Sequence, residues 1–429
     1  MIRGKKNGII LDYNTKLIIK ASFAPQGQRA AFYFAYSLTA SPERRGALNL
    51  LAKAGKSIRF YLKNTDLLLI ALCAAASLYG LVLVYSAAKG ATGGYIVQLA
   101  SICAGLVVAT IISQIDYEFI AALWPVWGGI SLVLVFLTYT GLGLNVGGTD
   151  DTAWLGISVG SLQLTFQPSE LLKIVFIITF SKHLSMVREH INQFKTFLLV
   201  ALHGLVPIAL IFKQGDDGTM LVFVFMVVSM MFAAGVKLVY FLGGATLVGA
   251  VIPFLWDRLI ADKLDRFLCL IYVDDYIMET GWQQYLGLRA LGSGQLWGRG
   301  FMEGGNNGLY ARNNDFIFTV AGEEFGFIGA MAVLVLIALI VWELWRCAIT
   351  ARDRLGMFMC IGLMSMIGFQ SLINIGMTLR LLPVIGITLP FFSSGGSSVA
   401  TLYLGVGLAL SVYYSSRARV RNNIFTKPL

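Results

Sequence analysis

Charge is scarce in this chain: only 13% of its 429 residues are Asp, Glu, Lys or Arg, about half the share of an ordinary soluble domain. A soluble globular class is excluded on that ground alone. Cysteine is sparse as well. Cys73, Cys103, Cys269, Cys347 and Cys360 form no CxxC pair, which excludes a disulfide framework and a zinc site and leaves small apolar packing residues. The three histidines, His183, His190 and His203, have no metal-ligand spacing and read as hydrogen-bonded packing residues. Ser393, Ser394, Ser397 and Ser398 have no neighbouring His or Asp, so nucleophilic catalysis is not indicated. The glycines at 292, 294, 298 and 300 follow no strand and make no dinucleotide fingerprint.

What the chain has instead is apolar length. Hydrophobic residues make up 57% of it, and glycine, at 46 residues, exceeds its usual share of about 7%, as expected of helices that approach closely in lipid. Runs of roughly 20 apolar residues, enough to cross a hydrocarbon core, recur ten times, near 67–87, 95–113, 118–138, 169–187, 196–212, 218–235, 238–255, 326–345, 357–377 and 398–416. Only helices satisfy their own backbone in lipid over such lengths. The expected architecture is an all-α membrane protein of about ten transmembrane helices, residues 66–417, with a long external loop, 256–314, between the seventh and eighth.

The net charge of +10 is local. Residues 1–65 hold twelve basic residues against Asp12 and Glu43, and the rest of the chain is balanced. This argues against a nucleic-acid face and for a basic cytoplasmic extension. Its apolar stretch 30–40 is too short to span, and nearly thirty residues precede it, so an extension is preferred to a signal peptide. Short-loop lysines and arginines then place both termini in the cytoplasm, including the tail 418–429.

With that orientation, acids gather at four external places: the loop 147–154, the helix start Gln167-Pro168-Ser169-Glu170-Leu171-Leu172-Lys173, the turn Lys213-Gln214-Gly215-Asp216-Asp217-Gly218-Thr219, and the stretch from Asn313 to Glu324. Glu170 and Lys173 share a helical face and can pair, either as an anchor or as part of a site. Asp216 and Asp217 suit a helix start. From Asp315 to Trp345 is too long for one span, so residues 315–325 are expected to form an external lead-in or surface helix. Asp315 at that mouth is either a general base or a helix cap.

Together QPSELLK (167–173), DDGT (216–219), GWQQYLGLRALGSGQLWGRGF (281–301), NDFIFTVAGEEFGFIG (314–329) and LLPVIGITLPFFSSGGSS (381–398) resemble the SEDS proteins, the RodA, FtsW and SpoVE group. The resemblance implies a multi-pass cell-membrane glycosyltransferase that polymerises lipid II on the external face during elongation, division or sporulation. It implies Asp315 as the catalytic residue, with Asn314 in place of the usual Thr. It implies substrate binding by Trp154, Glu170, Lys173, Asp216, Gln283, Arg299 and Ser397. Lys173, Arg289, Arg299, Arg312 and Arg380 are the cations available to a departing diphosphate, which can also bring a divalent cation, Mg or Mn. The implied partner is a class B penicillin-binding protein, a transpeptidase. Ala153, Leu286, Gly287, Gln295, Arg380 and Ser394 depart from the family pattern. The alternative is a flippase for the same lipid-linked precursor, disfavoured because the polar groups sit at helix ends and no internal repeat is visible. A catalytically idle scaffold for the transpeptidase is a third reading.

Overall fold

Asp66, Asp116, Asp216 and Asp353 each cap the start of a helix, and apolar runs set how far the helices continue. In the computed structural model, which describes residues 61–144, 153–159, 162–255, 261–272, 281–305 and 308–425, the chain divides into the units Met1–Lys63 and Asn64–Leu429. Most of the basic extension, and Asp150 and Asp151 of the 147–154 loop, lie outside the described residues.

Asp66 opens α1 (Leu67–Ala87), its Oδ1 accepting the N–H groups of Leu68 and Leu69 at 3.1 Å each, which satisfies donors that have no partner within the helix. Then come α2 (Thr92–Ile112), α3 (Tyr117–Ala122) and α4 (Trp124–Thr138). The third expected span is thus two helices, broken at Leu123 just before Pro125, which lacks the N–H needed to continue the first. After α5 (Pro168–Val187) follow α6 (Phe194–Gln214), α7 (Asp217–Ala234) and α8 (Leu238–Val251). The long connection carries α9 (Ala261–Ile271) and α10 (Trp282–Ser293). The last three helices are α11 (Ile317–Ile349), α12 (Arg354–Thr378) and α13 (Gly396–Phe425).

Seven of these, α1, α2, α6, α7, α11, α12 and α13, are long and apolar enough to cross a membrane. The α3–α4 pair, α5 and α8 occupy the other three expected positions. The window of greatest apolarity in α12 and in α13 is 67% buried, against 22% in α2 and α6, so the first two form the centre and the others the periphery. Close approach is built on missing side chains. A β-carbon on Gly80 of α1 would lie 2.5 Å from the carbonyl of Phe391, so glycine is what lets that backbone meet α1.

Three further features differ from the expectation. A small antiparallel sheet, β1 (Gly143–Leu144), β2 (Trp154–Val159) and β3 (Leu162–Phe166), precedes α5, with Leu155 opposite Phe166 and Leu144 opposite Trp154. The lead-in helix is present but is not a surface helix: Ile317 to Glu324 are all buried. It is set off from the spanning part of α11 by Gly326, at φ 67° and ψ −162°, a conformation that only glycine adopts freely. Finally, α13 runs to Phe425, into the expected tail.

Candidate active site

Four segments meet at one end of the bundle: the start of α5, the α6–α7 turn, residues 311–316 ahead of α11, and the irregular chain between α12 and α13. Each is placed by a local cause. Gly215, at φ 85°, reverses the chain after α6, and Asp216 then caps α7, its Oδ1 accepting the Thr219 N–H at 2.8 Å. Gln167, at the head of α5, donates from Nε2 to Asp216 Oδ2 at 3.2 Å. One turn on, Lys173 Nζ lies 2.9 Å from Glu170 Oε1, both residues buried, and Ser398 Oγ donates to Glu170 Oε2 at 3.2 Å. A β-carbon on Gly218 would strike Ile387 at 2.6 Å, so glycine brings the head of α7 against the 385–387 chain.

Asp315 sits in the middle of this group with its backbone held and its carboxylate left over. Asn374 of α12, fully buried, donates from Nδ2 to the carbonyls of Asp315 (2.8 Å) and Ile387 (2.7 Å). Ser393 Oγ donates to the Asn314 carbonyl at 2.7 Å, and the Ser394 N–H donates to that of Asn313 at 2.8 Å. The residue at the cap position of α11 is Phe316, with no side-chain cap, so the helix-cap alternative for Asp315 falls. Among the described residues its carboxylate accepts no hydrogen bond, and Gly386 leaves room there: a β-carbon on Gly386 would be 3.8 Å from Oδ2. Burial, then the negative charge of Asp216, push the Asp315 carboxyl up to about 6. Burial also raises Asp216 above the usual carboxylate range, opposed by its Thr219 hydrogen bonds and by Lys173.

The carboxylates eight and nine residues further on are saturated. Glu323 Oε1 accepts the Gly305 N–H at 2.9 Å and its Oε2 takes Arg312 Nη2 at 2.8 Å. Glu324 Oε1 accepts Ser86 Oγ at 2.6 Å and its Oε2 the Met302 N–H at 3.2 Å. The glycine loop closes around them. Arg299 and Gly300 donate backbone N–H groups to the carbonyls of Glu323 (2.9 Å) and Glu324 (3.1 Å), and a β-carbon on Gly294 would lie 1.9 Å from the Gly322 carbonyl.

The expected substrate-binding set therefore divides. Glu170, Lys173 and Asp216 are gathered with Asp315. Ser398, rather than Ser397, supplies the hydroxyl to Glu170. Gln283 braces the loop ahead of Asp315, its Oε1 accepting the Tyr310 N–H at 2.8 Å. Trp154 begins β2, on the sheet that leads into α5. Of the cations, Lys173 is 1% exposed and Arg312 is bound to Glu323 and Glu324, whereas Arg299 is 47% exposed with one long ion pair to Glu323, 3.7 Å, and Arg289 is exposed. Asn374 was missed as a site residue. Its only sequence signal is an amide in a largely apolar span, shared with Gln370 four residues earlier, which calls for a polar partner. Beside the site an apolar groove of about 680 Å³ runs between α6, α7, α8, α9 and residues 383–385, with Leu205, Phe212, Val248 and Phe267 on its walls and Asp217 and Arg266 as its charged groups.

The family model described as Cell cycle protein, for FtsW, RodA and SpoVE, matches residues 66–418. The chain belongs to that family. It is 32% identical over 376 residues to Stage V sporulation protein E of Bacillus subtilis (strain 168), covering 82% of this chain and 98% of that one. It is 29% identical to the probable peptidoglycan glycosyltransferase FtsW of Trichlorobacter lovleyi, covering 82% and 94%. A solved chain from work on a peptidoglycan synthase complex that coordinates polymerization and crosslinking superposes with a TM-score of 0.70 at 28% identity, over 82% of this chain and 98% of that one. The rod shape determining protein RodA of Thermus thermophilus gives 0.60 at 28% identity, over 81% and 96%.

Proposed function

We propose that this chain is a peptidoglycan glycosyltransferase that polymerises lipid II at the external face of the cytoplasmic membrane, with Asp315 as general base. The observation that carries the reading is the state of Asp315: its backbone is fixed by Asn374, its carboxylate is not a cap, and its pKa is pushed up to about 6, near the operating range of a base at neutral pH. In the reaction, the C4 hydroxyl oxygen of the acceptor GlcNAc attacks the anomeric carbon of MurNAc with inversion. The carbon–oxygen bond to the diphosphate breaks, the diphosphate leaves with the bonding pair, and the hydroxyl proton passes to Asp315.

The leaving group needs positive charge, and Arg299 and Arg289 are exposed cations of the 256–314 connection that can supply it. Lys173 acts from behind, through its charge on Glu170 and Asp216. Among the described residues no three His, Cys, Asp or Glu are gathered as metal ligands, so a divalent cation would arrive held by the diphosphate, and no step is assigned to it. The apolar groove beside Asp217 suits a polyprenyl chain that stays in the bilayer. Cytoplasmic termini, from the lysine and arginine distribution, put Asp315 outside, where a class B penicillin-binding protein would crosslink the product.

The test is reconstitution of the purified chain in liposomes with fluorescent lipid II, alone and with its cognate transpeptidase. Glycan ladders are the expected result. Movement of intact lipid II across the bilayer without polymer would sink the enzyme reading in favour of the flippase.

A further inference from the structure

Arg380 closes α12 in a conformation that suits it poorly. The Leu381 N–H donates to the Gly376 carbonyl (2.8 Å) and the Arg380 N–H to that of Met377 (3.2 Å), which makes a left-handed helix cap with Arg380, at φ 57°, in the position glycine ordinarily fills. Its guanidinium does not point to Asp315's group of acids. Nη2 donates instead to the carbonyl of Cys269, 3.1 Å away, in the last turn of α9, where a cation meets carbonyls that have no helical partner. Helix α9 is one wall of the apolar groove, through Arg266 and Phe267, and the chain just after Arg380 is its floor, through Pro383, Val384 and Ile385. The same floor continues to Gly386, against Asp315. Arg380 thus joins the wall of the groove to the strip of backbone that passes the catalytic carboxylate.

We propose that Arg380 is a positioning residue: through Cys269 it holds α9 against the groove floor and so sets how tightly the groove grips the apolar chain of a polyprenyl diphosphate substrate. This rests on the glycosyltransferase reading above. It replaces the expected role of Arg380 as a diphosphate ligand, and it accounts for an arginine where a small residue is common.

The decisive variant is Arg380→Gly, because it supplies the residue the cap favours and so leaves folding intact. In the full reconstituted chain, R380G is expected to hold or raise the melting temperature while KM for lipid II rises about tenfold, the loss of one charge-assisted hydrogen bond, with kcat little changed. Arg380→Lys keeps a cation within reach of the Cys269 carbonyl and is expected to restore KM in part. A fall in kcat at unchanged KM would instead mark Arg380 as a diphosphate ligand and overturn the proposal. An independent readout is the distance between spin labels at Phe267 and Leu381, both exposed, on a Cys103→Ser background without substrate. The distance distribution is expected to broaden and lengthen in R380G. An unchanged distribution overturns the latch whatever the activity, and a changed distribution with unchanged KM overturns its effect on substrate grip. If the wild-type chain makes no polymer at all, the enzymatic reading falls while the label distance still decides whether Arg380 holds α9.

Discussion

Asp315 and the Glu323–Glu324 pair are carboxylates of one short stretch, and they are treated in opposite ways. Every carboxylate oxygen of Glu323 and Glu324 has a donor, from Arg312, Ser86, or the backbone of Gly305 and Met302. Asp315 has its backbone fixed, and among the described residues its half-buried carboxylate accepts no hydrogen bond. Even partial burial of a charge without a protein partner is costly, and perturbed carboxylates concentrate at functional sites for that reason. Glu323 and Glu324 hold the glycine loop to the lead-in helix, and the loop and helix together aim Asp315.

The largest expected effect breaks the comparison on the functional side. Asp315→Ala should lower lipid II polymerisation about a thousandfold, the scale of a lost general base, with the melting temperature not reduced; a gel assay of glycan strands alongside a melting curve checks it. On the structural side, Arg312→Ala leaves buried Glu324 without a cation and Glu323 with only its 3.7 Å pair to half-exposed Arg299, and should destabilise the protein by about 3–5 kcal/mol. Its activity per folded molecule should fall far less than that of D315A, and a thousandfold loss in material that melts normally would instead put Arg312 in the chemistry. The smallest effect is on pH dependence. The acidic limb of kcat/KM should lie near pH 6, because the base must be deprotonated. Asp216→Asn removes the like charge and should move that limb lower without bringing it to the ordinary carboxylate range, since burial is the larger cause. A limb that stays in place would break the electrostatic link between the two acids.

Much of this is legible in the amino-acid sequence. Ten apolar runs gave ten helical positions because a span must satisfy its own backbone, and Asp315 stood out as a carboxylate ahead of one of them. The sheet was passed over although Trp154–Val159 and Leu162–Phe166 alternate in polarity around Gly160-Ser161, a hairpin signal that span-length hydropathy averages away. The roles of Arg312 and Arg380 were not legible at all. Both read as free external cations, and only tertiary placement brings Glu323 to one and the Cys269 carbonyl to the other. The same holds for Asp315 as cap or base, which turned on a helix beginning two residues later, at Ile317.

The most direct test of the account is Asp315→Asn, with stability and rate read on one sample. The folded carboxyl lies near 6, above an unfolded value of about 3.9. The folded chain therefore binds that proton more tightly than the unfolded chain. Stability accordingly falls as pH rises from about 4 to about 6, and at pH 7 the ionised group costs the fold up to about 3 kcal/mol. Asp315→Asn should remove that cost, so at pH 7 the variant should melt higher than wild type while polymerising lipid II about a thousandfold more slowly. A variant that melts lower, or one that still makes glycan at the wild-type rate, would contradict the claim that Asp315 is a perturbed carboxylate retained for catalysis.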